Sequence, residues 1–150
     1  MTTGERTLAR SIFGTAITLD AVRLKRRRWF PFQPRRVLMA PWGHIHFHPR
    51  SPWYRDDFGQ ADSTSQGLFI HEMTHVWQAQ TLGRWYLPLH RHPFCRYDYS
   101  IRPGWSLIDY GIEQQAEIVR HAFLLREGMS VAGAPGLDVY RGILPFDGEL

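Results

Sequence analysis

The residues best suited to chemistry lie in the stretch Leu68-Phe69-Ile70-His71-Glu72-Met73-Thr74-His75-Val76-Trp77-Gln78. On an α-helix, side chains four apart are offset by roughly 40° around the axis and one turn along it. His71 and His75 can therefore offer imidazole nitrogens to one metal ion, and zinc is the metal that H-E-x-x-H spacing suits. Glu72 is turned toward the side where a metal-bound water would sit. It is the natural general base, because zinc brings the pKa of that water toward neutrality.

A catalytic zinc site needs a third protein ligand and an open position. The stretch Gly111-Ile112-Glu113-Gln114-Gln115-Ala116-Glu117-Ile118-Val119-Arg120-His121 offers two carboxylates four apart, hence on one helical face. One of Glu113 and Glu117 can bind the metal while the other accepts a hydrogen bond from a ligating imidazole and sets its tautomer. Two carboxylates beside an apolar stripe make sense in an interior only if something cationic faces them.

These two motifs resemble those of the gluzincin metallopeptidases, in which H-E-x-x-H on one helix is followed by a pattern like N-E-x-x-A-D on the next. Ile112-Glu113-Gln114-Gln115-Ala116-Glu117 is similar to the second motif, with Ile for Asn and Glu for Asp. The resemblance implies Glu113 as third ligand and Glu117 as the partner of a histidine, and the two departures leave that order reversible. Ala21-Val22-Arg23-Leu24, residues 37–47 and residues 68–80 also resemble, in order and spacing, the small metallopeptidase-like domain that accompanies extracellular contractile injection systems and polymorphic toxins. The chain is similar too to proteins related to VgrG-type spike components of secretion systems. This likeness spans about residues 5–127. It implies a zincin-like fold, Zn2+ as cofactor, a peptide or protein substrate and a secretion or phage-like spike component as partner.

The elements that must position these residues follow from the hydrophobic pattern. Residues 68–77 carry apolar side chains at mixed spacings of three and four, as a largely buried helix does, with Ser63, Thr64 or Ser65 to cap it and Gly83 to end it. A second long helix fits residues 106–127, its stripe formed by Leu107, Ile108, Ile112, Ala116, Val119, Phe123 and Leu124. Near the N-terminus, Thr2 or Thr3 caps a short helix with Leu8, Ala9, Ile12 and Phe13 on one face and Gly14 at its end. Residues 21–25 alternate as a strand. Residues 36–40, the turn Pro41-Trp42-Gly43 and residues 44–48 read as a β-hairpin. The expected fold class is thus α+β: a small zincin-like domain with a short N-terminal helix, a few-stranded sheet and two long helices bearing the metal site. Residues 131–150, rich in glycine and proline, read as a loose tail.

Other polar groups could reach the site. His44, His46 and His48 fall at period two and would share one strand face, but alternate residues diverge by about 6.5–7 Å, which suits a solvent-facing or cleft-lining row better than a metal site. If this strand aligns substrate, His46 lines the cleft. His90, His92, Tyr97 and Tyr99 are candidates for a hydrogen-bond donor to the transition state.

The 150 residues, 43% hydrophobic and 21% charged, describe one ordinary globular domain. The single cysteine, Cys95, excludes a disulfide framework and a cysteine zinc site, and reads as a buried small residue. No apolar run reaches the length of a membrane span, and there is no secretory signal, so the chain is expected to be made in the cytoplasm, with export left to a specialised secretion machine. The net charge of +4 is concentrated in the loop 23–36, where arginines alternate with aromatics and prolines. That loop could hold nucleic acid or an anionic surface, but no docking helix or stacking motif accompanies it. Three readings follow: a zinc metallopeptidase, a non-catalytic zinc-stabilised interaction module of a secretion assembly, and a basic-loop binder.

Overall fold

The computed structural model of the chain describes residues 1–83, 85–90 and 95–149. The first helix, α1 (Thr3–Phe13), begins at a capping box: Thr2 Oγ1 accepts the Glu5 N–H at 3.0 Å and the Glu5 carboxylate accepts the Thr2 N–H at 2.9 Å. Ala9, Ile12 and Phe13 are its core face.

The sheet is smaller than the alternation predicts. Strands β1 (Leu24–Lys25) and β2 (Ile45–His46) pair in parallel, with Leu24 opposite Ile45. On its other side β2 meets residue Met39 in one antiparallel bridge, which is all that forms of the expected hairpin. The flanking backbone explains this. The next hydrogen-bonded pairs would be Val37 with His48 and Pro41 with His44. Val37 already donates to Pro34 O and accepts from Gln33 Nε2, and Pro41 has no N–H.

Asp62, rather than Ser63, Thr64 or Ser65, caps α2 (Ser63–Leu82) through the Ser65 N–H. From Phe69 to Ala79 every residue of α2 is buried, so the helix runs through the interior instead of lying on it. A short helix α3 (Tyr86–His90) follows. The second long helix starts later than its apolar stripe suggests. A 3-10 turn at Leu107–Asp109 is closed off by Asp109, which accepts from Ser106, and α4 (Ile112–Arg126) then begins after an extended Gly111. Helices α2 and α4 lie side by side, and at Gly67 the approach is so close that a Cβ would stand 3.1 Å from Leu124 Cδ2.

The C-terminal segment is not loose. It forms α5 (Leu137–Arg141), buries Tyr140 completely, and sets Phe146 edge-on against Phe13 and Trp77 at 4.8 and 5.2 Å. Asp147 accepts from the Thr15 N–H and hydroxyl, while the Glu149 N–H donates to Ser11 O. Isolated apolar residues between glycines and prolines carry no period, so this packing has no signature in the pattern. Among the described residues no helix is long and apolar enough to cross a membrane.

Gly14 joins these parts. It ends α1 at φ 50°, ψ −120°, a conformation costly for any side chain, and a Cβ there would fall 2.0 Å from Asp147 Oδ1. Gly14→Ala is expected to lower stability by roughly 1–3 kcal/mol or more, measured by thermal or denaturant unfolding. An unchanged midpoint would mean that the tail does not hold α1.

Candidate metal centre

The interior face of α2 meets the first turns of α4, and this is where the predicted ligands converge. His71 Nε2 and His75 Nε2 lie 3.3 and 3.2 Å from the same oxygen, Glu113 Oε2. All three side chains are buried, and one ligand atom from each falls within 4.8 Å of the others. Ligands on a tetrahedral zinc, with bonds of about 2.0–2.1 Å, stand roughly 3.3 Å apart. The spacing and the donor set therefore fit such an ion. The late start of α4 matters here, because it puts Glu113 in the first turn, where the helix dipole favours a carboxylate.

Each imidazole is held from behind. His75 Nδ1 is 2.8 Å from Gln78 Oε1. Gln78 Nε2 donates to Ile112 O and to Gln115 Oε1, and Gln115 Nε2 in turn donates to Tyr110 O. With every amide group so oriented, Gln78 Oε1 can only accept. His75 therefore carries its proton on Nδ1 and turns Nε2 toward the site. His71 Nδ1 lies 2.8 Å from Glu117 Oε1. Glu117 is itself held by Arg120 Nη1 at 3.2 Å and His121 Nε2 at 3.2 Å. His121 Nδ1 is 2.7 Å from the Tyr99 hydroxyl, which is 2.7 Å from the Tyr140 hydroxyl on α5.

The electrostatics call for a cation. Burial by itself would push the His71 imidazolium down, yet hydrogen bonds to Glu113 and Glu117 and the charges of Glu72 and Glu117 raise its pKa to about 9. Burial would likewise raise Glu117, but His121, His71 and Arg120 hold its carboxyl well below the usual carboxylate range. Glu72 is buried beside them, and among the described residues nothing hydrogen-bonds its Oε2. An orphaned carboxylate oxygen in a buried cluster of carboxylates is what a site for a metal and a water leaves behind.

The other candidates separate into two groups. The Tyr97 ring stacks on His71 with centroids 6.2 Å apart, and it lines the clefts on both sides of the centre. Tyr99 stands behind Glu117 instead of in the cleft, and burial with its bond to Tyr140 pushes its phenol pKa up, so it stays protonated. His46 lines neither of these clefts. It is buried under the arginine loop, edge-on to Trp29 and 3.3 Å from Arg27 O, while His48 Nδ1 accepts the Arg50 N–H. His46 and His48 are thus buried instead of forming a solvent-facing or cleft-lining row, because Gln33 ties the loop over β2 through Trp29 N, Val37 O and His46 O, while His44 is half-buried. The side chain of His90 and all of His92 lie outside the described residues. Cys95 is half-buried.

Gln78, Gln115, Arg120, His121 and Tyr140 were given no role in the sequence analysis. Gln78 is three residues from His75, and Arg120 and His121 are three and four from Glu117, so helical spacing could have found those three. Gln115 and Tyr140 have no such signal.

No protein-family model matches the chain. It is similar to the type VI secretion system spike protein VgrG2b of Pseudomonas aeruginosa, with 39% identity over 137 residues. That match takes in 87% of this chain but 13% of the spike protein's length. The solved effector domain of Pseudomonas aeruginosa VgrG2b superposes with a TM-score of 0.71 at 36% identity, covering 95% of this chain and 79% of that one.

If Glu117 orients His71, Glu117→Gln is expected to weaken zinc binding about 10–100-fold, read by competition with a chromophoric chelator. His71→Ala and Glu113→Ala should abolish stoichiometric zinc under the same conditions. Equal affinity in wild type and Glu117→Gln would mean that the carboxylate is not needed to hold the ring.

Proposed function

Because the chain belongs to the family of the VgrG2b effector domain, we propose that it is an effector module of a type VI secretion spike and acts as a zinc-dependent metallopeptidase. The observation that carries this reading is the convergence of His71 Nε2, His75 Nε2 and Glu113 Oε2 beside the unpartnered Glu72 oxygen. His71, His75 and Glu113 would hold the metal, which when bound supplies Lewis-acid polarisation of a carbonyl and a water acidic enough to ionise near neutral pH.

The remaining chemistry belongs to the chain. Glu72 takes the proton of the attacking water and delivers it to the leaving amine, which turns a poor leaving group into a neutral one. Its buried Oε2 has no hydrogen-bond partner among the described residues, which leaves that oxygen available to such a water. Gln78 and Glu117 keep the two imidazoles in the tautomers that face the centre. Tyr97, stacked on His71 at the junction of two clefts, is the described phenol best placed to donate to the developing oxyanion. Delivery follows from the relative. VgrG2b is a spike protein, and the similarity supports a spike component as this chain's carrier and partner in export.

Glu72→Gln provides the test. Peptide cleavage should fall about 10²–10⁴-fold while zinc content and unfolding midpoint stay at wild-type values. Cleavage that survives the substitution would remove Glu72 as the base. A zinc-loaded wild type that cleaves no protein or peptide would leave a non-catalytic module of the spike.

A further inference from the structure

Two clefts of unlike chemistry meet at the metal centre. On the Glu113 side lies a groove of about 680 Å³, whose walls include Trp29, Trp42, Trp85, Met39 and Leu87. Trp42 meets Trp29 and Trp85 edge to face, at 4.2 and 6.5 Å between ring centroids. Trp42 and Trp85 remain 47% and 55% exposed, a large indole surface held in water. Apolar area of this kind, concave and ending on a ligand-bearing carboxylate, marks a place where another apolar group is received. The volume is ample for one aromatic or long aliphatic side chain with its backbone.

On the Glu72 side lies a cleft of about 400 Å³ that includes His71, Arg36 and Arg120. Of its two carboxylates, Glu117 is answered by His71, His121 and Arg120, and Glu72 belongs to the metal centre. Arg36 is exposed and has no ion pair among the described residues. Arg120 gives Nη1 to Glu117 and keeps a buried Nε with no hydrogen-bond partner there. Arg36 therefore offers this cleft a guanidinium that no carboxylate among the described residues pairs with, and which an acidic side chain would complement. Val37 and Tyr97 line both clefts, so a chain crossing from one to the other passes over the metal ligands.

We propose that the substrate is a peptide with a bulky apolar side chain in the tryptophan groove and an acidic side chain on the Arg36 side, the scissile bond lying between them. This rests on the metallopeptidase reading for the cleavage step and on the two clefts for the selectivity.

The test uses zinc-loaded protein and a set of otherwise alanine-rich peptides. Each carries Phe–Glu, Glu–Phe, Phe–Lys, Lys–Phe, Asp–Glu or Ala–Ala at its centre, and mass spectrometry locates the cut. Cleavage is expected in one of the two Phe/Glu orders, with kcat/KM at least 10-fold above the Phe/Lys peptides and above Asp–Glu and Ala–Ala. Trp42→Ala should remove most of the advantage of Phe. Arg36→Glu should reverse the choice between Glu and Lys. In both variants zinc content should match wild type. Cleavage that ignores either position, or a charge preference that survives Arg36→Glu, overturns the proposal and leaves the peptidase reading standing.

If wild type cleaves none of these peptides, the same set is titrated against zinc-loaded Glu72→Gln and tryptophan fluorescence is followed, since three of the six tryptophans line the groove. Saturable change with a Phe/Glu peptide and none with Asp–Glu or the Phe/Lys pair supports the two clefts without the reaction. No change with any of them overturns the clefts as well.

Discussion

The structure depends on a polar seam buried between α2 and α4. Two helices that pack through apolar side chains alone can slide or rotate at modest cost. These two are joined by His75 to Glu113, His71 to Glu117, and Gln78 to Gln115 and Ile112 O. All of those side chains but the half-buried Glu117 are buried, so a contact that fails leaves an unsatisfied polar atom in a low-dielectric interior. The register of one helix on the other is thereby set by hydrogen bonding as well as by shape. The ligand geometry is a by-product of that register.

The seam is also electrostatically incomplete. Three glutamates face two histidines, and the raised pKa of His71 expresses the negative charge that surrounds it, whereas Glu117 is held ionised by His121, His71 and Arg120. A divalent cation held by His71, His75 and Glu113 would balance that charge without a proton on either imidazole. The glutamine pair and the Glu117–His121–Tyr99–Tyr140 chain carry the ordering outward, one to the backbone at Tyr110 and the other to α5. The C-terminal segment thus supports the centre through Tyr140 while it closes the core through Phe146.

Regular structure is sparse outside the helices, and this is coherent with the fold's task. The sheet amounts to two residues per strand. Much of the remaining chain is irregular, and its internal order comes from single polar side chains that satisfy several backbone groups at once, as Gln33 does under the arginine loop. Such segments shape clefts more freely than strands can. The tryptophan groove is built largely from them, and the Arg36 cleft takes one wall from them and the other from α2 and α4.

By itself, the sequence determined the candidate ligands and the two helices that carry them. His71 and His75 are four apart on a helix whose neighbours are apolar, and Glu113 and Glu117 repeat that spacing on a second one. Helical geometry then puts each pair on one face with no tertiary information. The α+β class, the capping of α1 and the burial of α2 were legible for the same reason, since local spacing and cap residues act within a few residues of each other. What the tertiary structure decided is everything that depends on competition between distant groups. Residues 36–48 alternate as a hairpin should, but Gln33 and Pro34 occupy the backbone groups of Val37, and Pro41 lacks the N–H that the ladder needs. His46 sits on the predicted strand, but a loop folds over it. Residues 137–149 have no period, yet they pack, because isolated side chains such as Tyr140 and Phe146 find partners far away in the chain. Which of the two glutamates lies against both imidazole Nε2 atoms, and which one stands behind His71, was likewise set by where α4 starts. That start depends on a local contest between the turn at Ser106–Asp109 and the helix, one that a stripe of apolar residues does not record.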